Sequence, residues 1–99
     1  MKTINEIKNQ LETLKPVLKD KYQVETIGIF GSYTRGEQTK KSDADILVEF
    51  SKDAHVGFFK FLELEEFLTQ KLGVKVDLVT KNALKPMMKN QILKETIYA

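Results

Sequence analysis

The residues able to do chemistry crowd into one stretch, GSYTRGEQTKKSDADILVEF, from Gly31 to Phe50. It opens on a glycine-serine turn with Arg35 close behind, and then presents two aspartates, Asp43 and Asp45, separated by one residue. Asp45 interrupts a run, ADILVEF, that otherwise suits a buried strand. Side chains alternate along a strand, so Asp43, Asp45, Leu47 and Glu49 fall on one face and Ala44, Ile46, Val48 and Phe50 on the other. Two carboxylates held this close repel each other. A divalent cation is the common remedy, and hard oxygen ligands suit Mg²⁺.

A third acid, Asp77, lies in VKVDLVT among Val76, Leu78 and Val79. Burying an acid in such a strand without a partner is expensive. If this strand neighbours the first acid-bearing one, Asp77 faces the same pocket. Three acids on rigid strands outline a two-metal phosphoryl-transfer site. Simpler readings exist for each acid. Asp43 suits a turn after Ser42, and Asp77 suits an edge strand protected by charge. Asp45 is harder to explain this way.

The turn fits an anion. Gly31 lets the backbone approach a ligand closely. Ser32 offers a hydroxyl and an N–H at an expected helix start, where it also serves as an N-cap. Arg35 adds a cation nearby. Two other motifs fail. Gly31 and Gly36 have P-loop spacing, but Glu37 and Gln38 stand where Lys and Ser or Thr belong. DADILVE lacks the third oxygen position and the glycine of an EF-hand.

The elements that must position these residues alternate. Thr3 and Glu6 have capping-box spacing. Ile4, Ile7, Leu11, Leu14 and Leu18 recur at helical intervals, with Pro16 predicting a kink or a restart. VETIGIF, Val24 to Phe30, and ADILVEF, Ala44 to Phe50, read as strands. Phe58, Phe61, Leu62, Leu68 and Leu72 mark a second helix, with Gly73 as its C-terminal cap. Val74 to Thr80 reads as a third strand. The tail from Asn82 to Tyr98 reads as a helix with Pro86 near its first turn. The expected fold is α/β in the α+β sense: a small mixed sheet flanked by helices. His55, the only histidine, falls in a loop and reads as solvated. Phe58, Phe59, Phe61 and Phe67 cover much of the second helix. Any on its outer side, with Met87, Met88, Ile92 and Leu93 of the tail, suit a partner surface.

Size and composition set bounds. A chain of 99 residues is expected to be one domain, spanning residues 1–99. There are no cysteines, which excludes disulfides and thiolate metal sites and fits a reducing, cytoplasmic setting. No signal peptide is visible, and the apolar runs are too short to span a bilayer. A net charge of +2, without a basic stripe interleaved with aromatics, gives no case for nucleic acid.

Gly31-Ser32, ten residues, then Asp43-Ala44-Asp45, resembles the signature of the DNA polymerase β-like nucleotidyltransferases. Asp77 in KVDLVT looks like their third acid. The arrangement GSYTRG…SDADILVEF…VDLVTKNALKP is most similar to the minimal nucleotidyltransferase (MNT) proteins, often paired with a HEPN-domain partner as antitoxin and toxin. The resemblance covers about Val24 to Pro86. It implies the polymerase β-like fold, ATP as substrate and two Mg²⁺ ions held by Asp43, Asp45 and Asp77. It also implies triphosphate binding by Gly31 and Ser32, with Arg35 neutralising charge or bracing the acids. The activity it implies is transfer of AMP to a hydroxyl, a tyrosine of the HEPN toxin, within a hetero-oligomer. Two alternatives stay open. One is an antitoxin that neutralises its partner by binding alone. The other is a transferase acting on a small molecule or an RNA end with help from another subunit.

Overall fold

The computed structural model describes residues 2–99. The first helix, α1 (Ile4–Tyr22), starts as its capping box predicts: the Thr3 hydroxyl accepts the Glu6 N–H at 3.3 Å. It runs without interruption through Pro16, so the predicted restart does not occur. It ends at Gln23, whose positive φ of 58° turns the chain out of the helix. Strand β1 (Val24–Phe30) follows directly. A single 3₁₀ turn, Gly31–Tyr33, leads from it into the loop before β2 (Ala44–Phe50).

Helix α2 (Phe58–Leu72) ends at Gly73, which has φ 71° and donates its N–H to the Thr69 carbonyl. Strand β3 (Val76–Thr80) begins two residues later than the sequence pattern predicts. The tail differs more. In place of one helix it forms a 3₁₀ turn (Lys81–Ala83), helix α3 (Pro86–Glu95) with Pro86 at its start, and a two-residue strand, β4 (Ile97–Tyr98). Proline lacks an N–H and suits a helix's first turn, so α3 begins at Pro86.

The sheet order is β3-β2-β1-β4. β1 runs antiparallel to β2 and β4, and β2 parallel to β3, so the sheet is mixed as expected. One face carries Ile27 and Ile29 of β1, Ala44, Ile46 and Val48 of β2, and Val76 and Leu78 of β3. These pack with Ile7, Leu11 and Leu18 of α1 and with Leu64, Leu68 and Leu72 of α2, all nearly free of solvent. The four-residue spacing of the α2 leucines puts them on one stripe. Full burial of each such side chain contributes about 1.5–3 kcal/mol.

Helix α2 also closes the β3 edge. The Thr69 hydroxyl accepts the Val76 N–H at 3.1 Å, and the Glu65 carboxylate accepts the Leu78 N–H at 2.9 Å. At the opposite edge, β4 comes so close to Gly28 that a Cβ there would lie 2.6 Å from the Thr96 methyl. The absence of a side chain at Gly28 is what admits the short strand.

Candidate functional site

The second face of the sheet carries the acids. Asp45 and Asp77 are register partners on the parallel pair β2 and β3, so their side chains leave the sheet side by side. Asp43 precedes β2 by one residue and shares the parity of Asp45. Burial pushes the Asp45 carboxyl up to about 6, and the charges of Asp77, Asp43 and Glu95 add to the rise while Arg35 opposes it. Asp45 therefore feels both of the other predicted acids. Asp43 and Asp45 are half-buried, whereas Asp77 is exposed, so the burial cost expected for Asp77 does not arise.

Among the described residues, no three His, Cys, Asp or Glu side chains form a ready-made metal cluster. The donor chemistry still fits Mg²⁺. The oxygens are hard and anionic, and their mutual repulsion is what a cation relieves.

Gly31 stands against this group. Phe30 is the register partner of Asp45, which brings the following residue over the Asp45 side chain. Gly31 has φ 79°, and a Cβ built on it would collide with the Asp45 carboxylate. Only glycine takes this conformation and leaves that space. The close approach predicted at Gly31 is thus, in this structure, an approach to Asp45.

The turn it begins is tightly tied. The Gly31 carbonyl accepts the Thr34 N–H and hydroxyl, and the Ser32 carbonyl accepts the Arg35 and Glu37 N–H groups. It is a 3₁₀ turn rather than the start of an α-helix, and Ser32 lies inside it, not at its cap. The Ser32 hydroxyl makes no hydrogen bond among the described residues. Tyr33 is buried beside the acids: burial first, and then the charge of Asp43, push its hydroxyl up from the usual tyrosine range.

Arg35 braces rather than standing free. Its Nε donates to Glu37 at 2.7 Å, and its Nη1 donates to both oxygens of Glu95 at 3.1 and 3.3 Å. The partners are two glutamates, not the aspartates. The Gly31 N–H also goes to Glu95, at 2.9 Å. Nothing in the sequence singles out Glu95. It is an ordinary glutamate at a helix end, 64 residues from Gly31, and no local pattern marks such a contact. Beside it, Phe30, Met88, Gln91 and Ile92 help line a cavity of about 210 Å³ between the turn and α3.

The remaining predicted residues sit elsewhere. His55 is exposed in its loop, as expected. Phe61 and Phe67 pack against the core, while Phe58 and Phe59 are 70% and 83% exposed. Met87 is 97% exposed at the start of α3. No helix among the described residues is long and apolar enough to cross a membrane.

Known proteins resemble this chain in sequence and in fold. The nucleotidyltransferase domain model matches residues 11–99. The chain is 44% identical over 98 residues to the protein adenylyltransferase MntA of Thermococcus cleftensis, covering 99% of this chain and 97% of that one. A solved structure provisionally named a minimal nucleotidyltransferase superposes with a TM-score of 0.79 at 28% identity, covering 97% of this chain and 95% of the other. A toxin-antitoxin structure with AMP-PNP superposes with a TM-score of 0.70 at 26% identity, covering 91% of this chain and 71% of that one. The sheet with its acid-bearing parallel pair, the glycine-serine turn and these likenesses agree: the chain belongs to the nucleotidyltransferase family, as a minimal nucleotidyltransferase.

Proposed function

We propose that this enzyme transfers AMP from ATP to a tyrosine hydroxyl of a partner HEPN-domain toxin, and that it acts in this way as an antitoxin in the cytoplasm. The observation that carries the reading is the register of Asp45 with Asp77, with Asp43 on the same face and the Gly31 turn above Asp45. The likeness to a protein adenylyltransferase and to a toxin-antitoxin structure holding an ATP analogue supports it.

In this reading Asp43, Asp45 and Asp77 hold Mg²⁺, which when bound supplies charge neutralisation for the triphosphate. The chain's own groups do the rest. Ser32 donates its hydroxyl to a phosphate oxygen. Asp77, the most open of the three acids, takes the proton of the acceptor hydroxyl as its oxygen attacks the α-phosphorus. A phosphoester bond forms and pyrophosphate leaves. Most of the acceleration comes from position and charge, as in phosphoryl transfer generally.

Phe58, Phe59 and Met87 leave apolar surface open to water, and this favours a second reading in which the chain neutralises its partner by covering it. Intact mass spectrometry of the partner separates the two. A catalyst at one-twentieth of the partner concentration, with ATP and Mg²⁺, leaves most partner molecules heavier by nucleotide units. A cover requires equal amounts and returns the partner unmodified.

A further inference from the structure

Gly31 and Arg35, both expected beside the triphosphate, are held by a single carboxylate. Glu95 accepts the Gly31 N–H at 2.9 Å and the Arg35 Nη1 at 3.1 and 3.3 Å. Its own backbone is held from both sides. Residue 95 ends α3, where the Thr96 N–H and hydroxyl both bond the Ile92 carbonyl. Strand β4 then begins at once and pairs Ile97 with Ile29 and Tyr98 with Gly28. The side chain is only 21% exposed. A carboxylate so mounted does not swing aside at little cost. It ties Gly31 and Arg35 to one point, the junction of α3 with β4.

We infer that Glu95 is a positioning residue for nucleotide binding: it fixes the segment from Gly31 to Arg35 so that the Ser32 hydroxyl, a donor without a partner among the described residues, meets the phosphate. The inference rests on the nucleotide site proposed above. It gives Arg35 a bracing role in place of direct phosphate contact. It also gives the C-terminal helix and strand a task in the site, where the sequence pattern suggests one helix with a partner surface.

The test is calorimetric titration of the wild-type chain and its variants with Mg-AMP-PNP, beside thermal melts of each. Glu95→Ala weakens binding about tenfold, since it removes a charged acceptor from two donors. Glu95→Gln keeps an oxygen for the Gly31 N–H, and recovers about a third of that loss. Ser32→Ala weakens binding in the wild type but has little further effect in Glu95→Ala, because a displaced hydroxyl has nothing left to lose. This coupling is the readout that a merely structural glutamate does not produce.

Unchanged affinity in a folded Glu95→Ala protein, or strict additivity with Ser32→Ala, overturns the inference and leaves the proposed function standing. Tighter binding in Glu95→Ala also overturns it, by showing that the carboxylate competes with phosphate. A wild-type chain that binds no Mg-AMP-PNP overturns the nucleotide site itself, and the inference with it.

Discussion

The two faces of the sheet obey different rules. On the face covered by α1 and α2, the contacts are apolar and water is excluded, from Ile7 and Leu68 to Ile46 and Leu78. On the other face Asp43, Asp45, Asp77 and Glu95 gather beside a glycine turn, and Asp45 is held in an environment that disfavours its charge. The first face contributes stability. The second spends some of it on charge repulsion that only a cation or a proton relieves. The contrast teaches where changes should harm folding and where they should harm only chemistry.

The sharpest break in that contrast is Asp45→Asn. It keeps shape and removes a charge from the repelling group, so the proposed transfer falls by at least about a thousandfold while the fold persists. Adenylylated partner, followed by mass, reports the loss. A variant with wild-type turnover detaches Asp45 from the chemistry.

On the apolar face, Leu68→Ala does the opposite. Leu68 is fully buried among the leucines of α2, so its truncation costs about 2–5 kcal/mol of stability. Chemical denaturation measures this, and the affinity for nucleotide of the folded fraction stays unchanged.

Gly31→Ala lies on the boundary between the faces. Its φ of 79° and its contact with Asp45 make a methyl group costly to folding by about 1–2 kcal/mol from backbone strain alone. Asp45 is displaced as well, so stability and nucleotide binding fall together, in contrast to the separate effects of the two substitutions above.

The smallest effect is in pH. The folded chain holds a proton on Asp45 up to about 6, whereas an unfolded chain releases it near 3.8. Between those values the folded state binds the proton better, so this group's contribution to stability is full at low pH and is lost as pH rises through 6. Melts without divalent cations therefore show the wild type losing ground to Asp45→Asn as pH rises from about 4 to 6. Protons also compete with cations at Asp45, so stabilisation by Mg²⁺ weakens below pH 6.

Much of this was legible in the sequence. Apolar periodicity marked α1, α2 and the first three strands, because each buries one face over several turns or residues. The spacing from Gly31-Ser32 to Asp43 and Asp45 points to the candidate site, because motif residues on one strand and one turn are local. Pairing across chain distance was hidden. Strand β4 has two residues, too few for a period, and exists because Gly28 leaves room for it. Glu95 carries no signal of its own, and its role depends on where the α3–β4 junction lands.

The central claim, that the acid face is strained by charge and built for a cation, is tested most directly by paired thermal melts at pH 7.5. Wild type and Asp45→Asn are each melted without divalent ions, with Mg²⁺, and with Mg-AMP-PNP. If charge repulsion strains this face, Asp45→Asn melts higher than the wild type without ions, and only the wild type gains when Mg²⁺ and the nucleotide are added. An Asp45→Asn protein that melts lower without ions and gains as much as the wild type with Mg-AMP-PNP would contradict it.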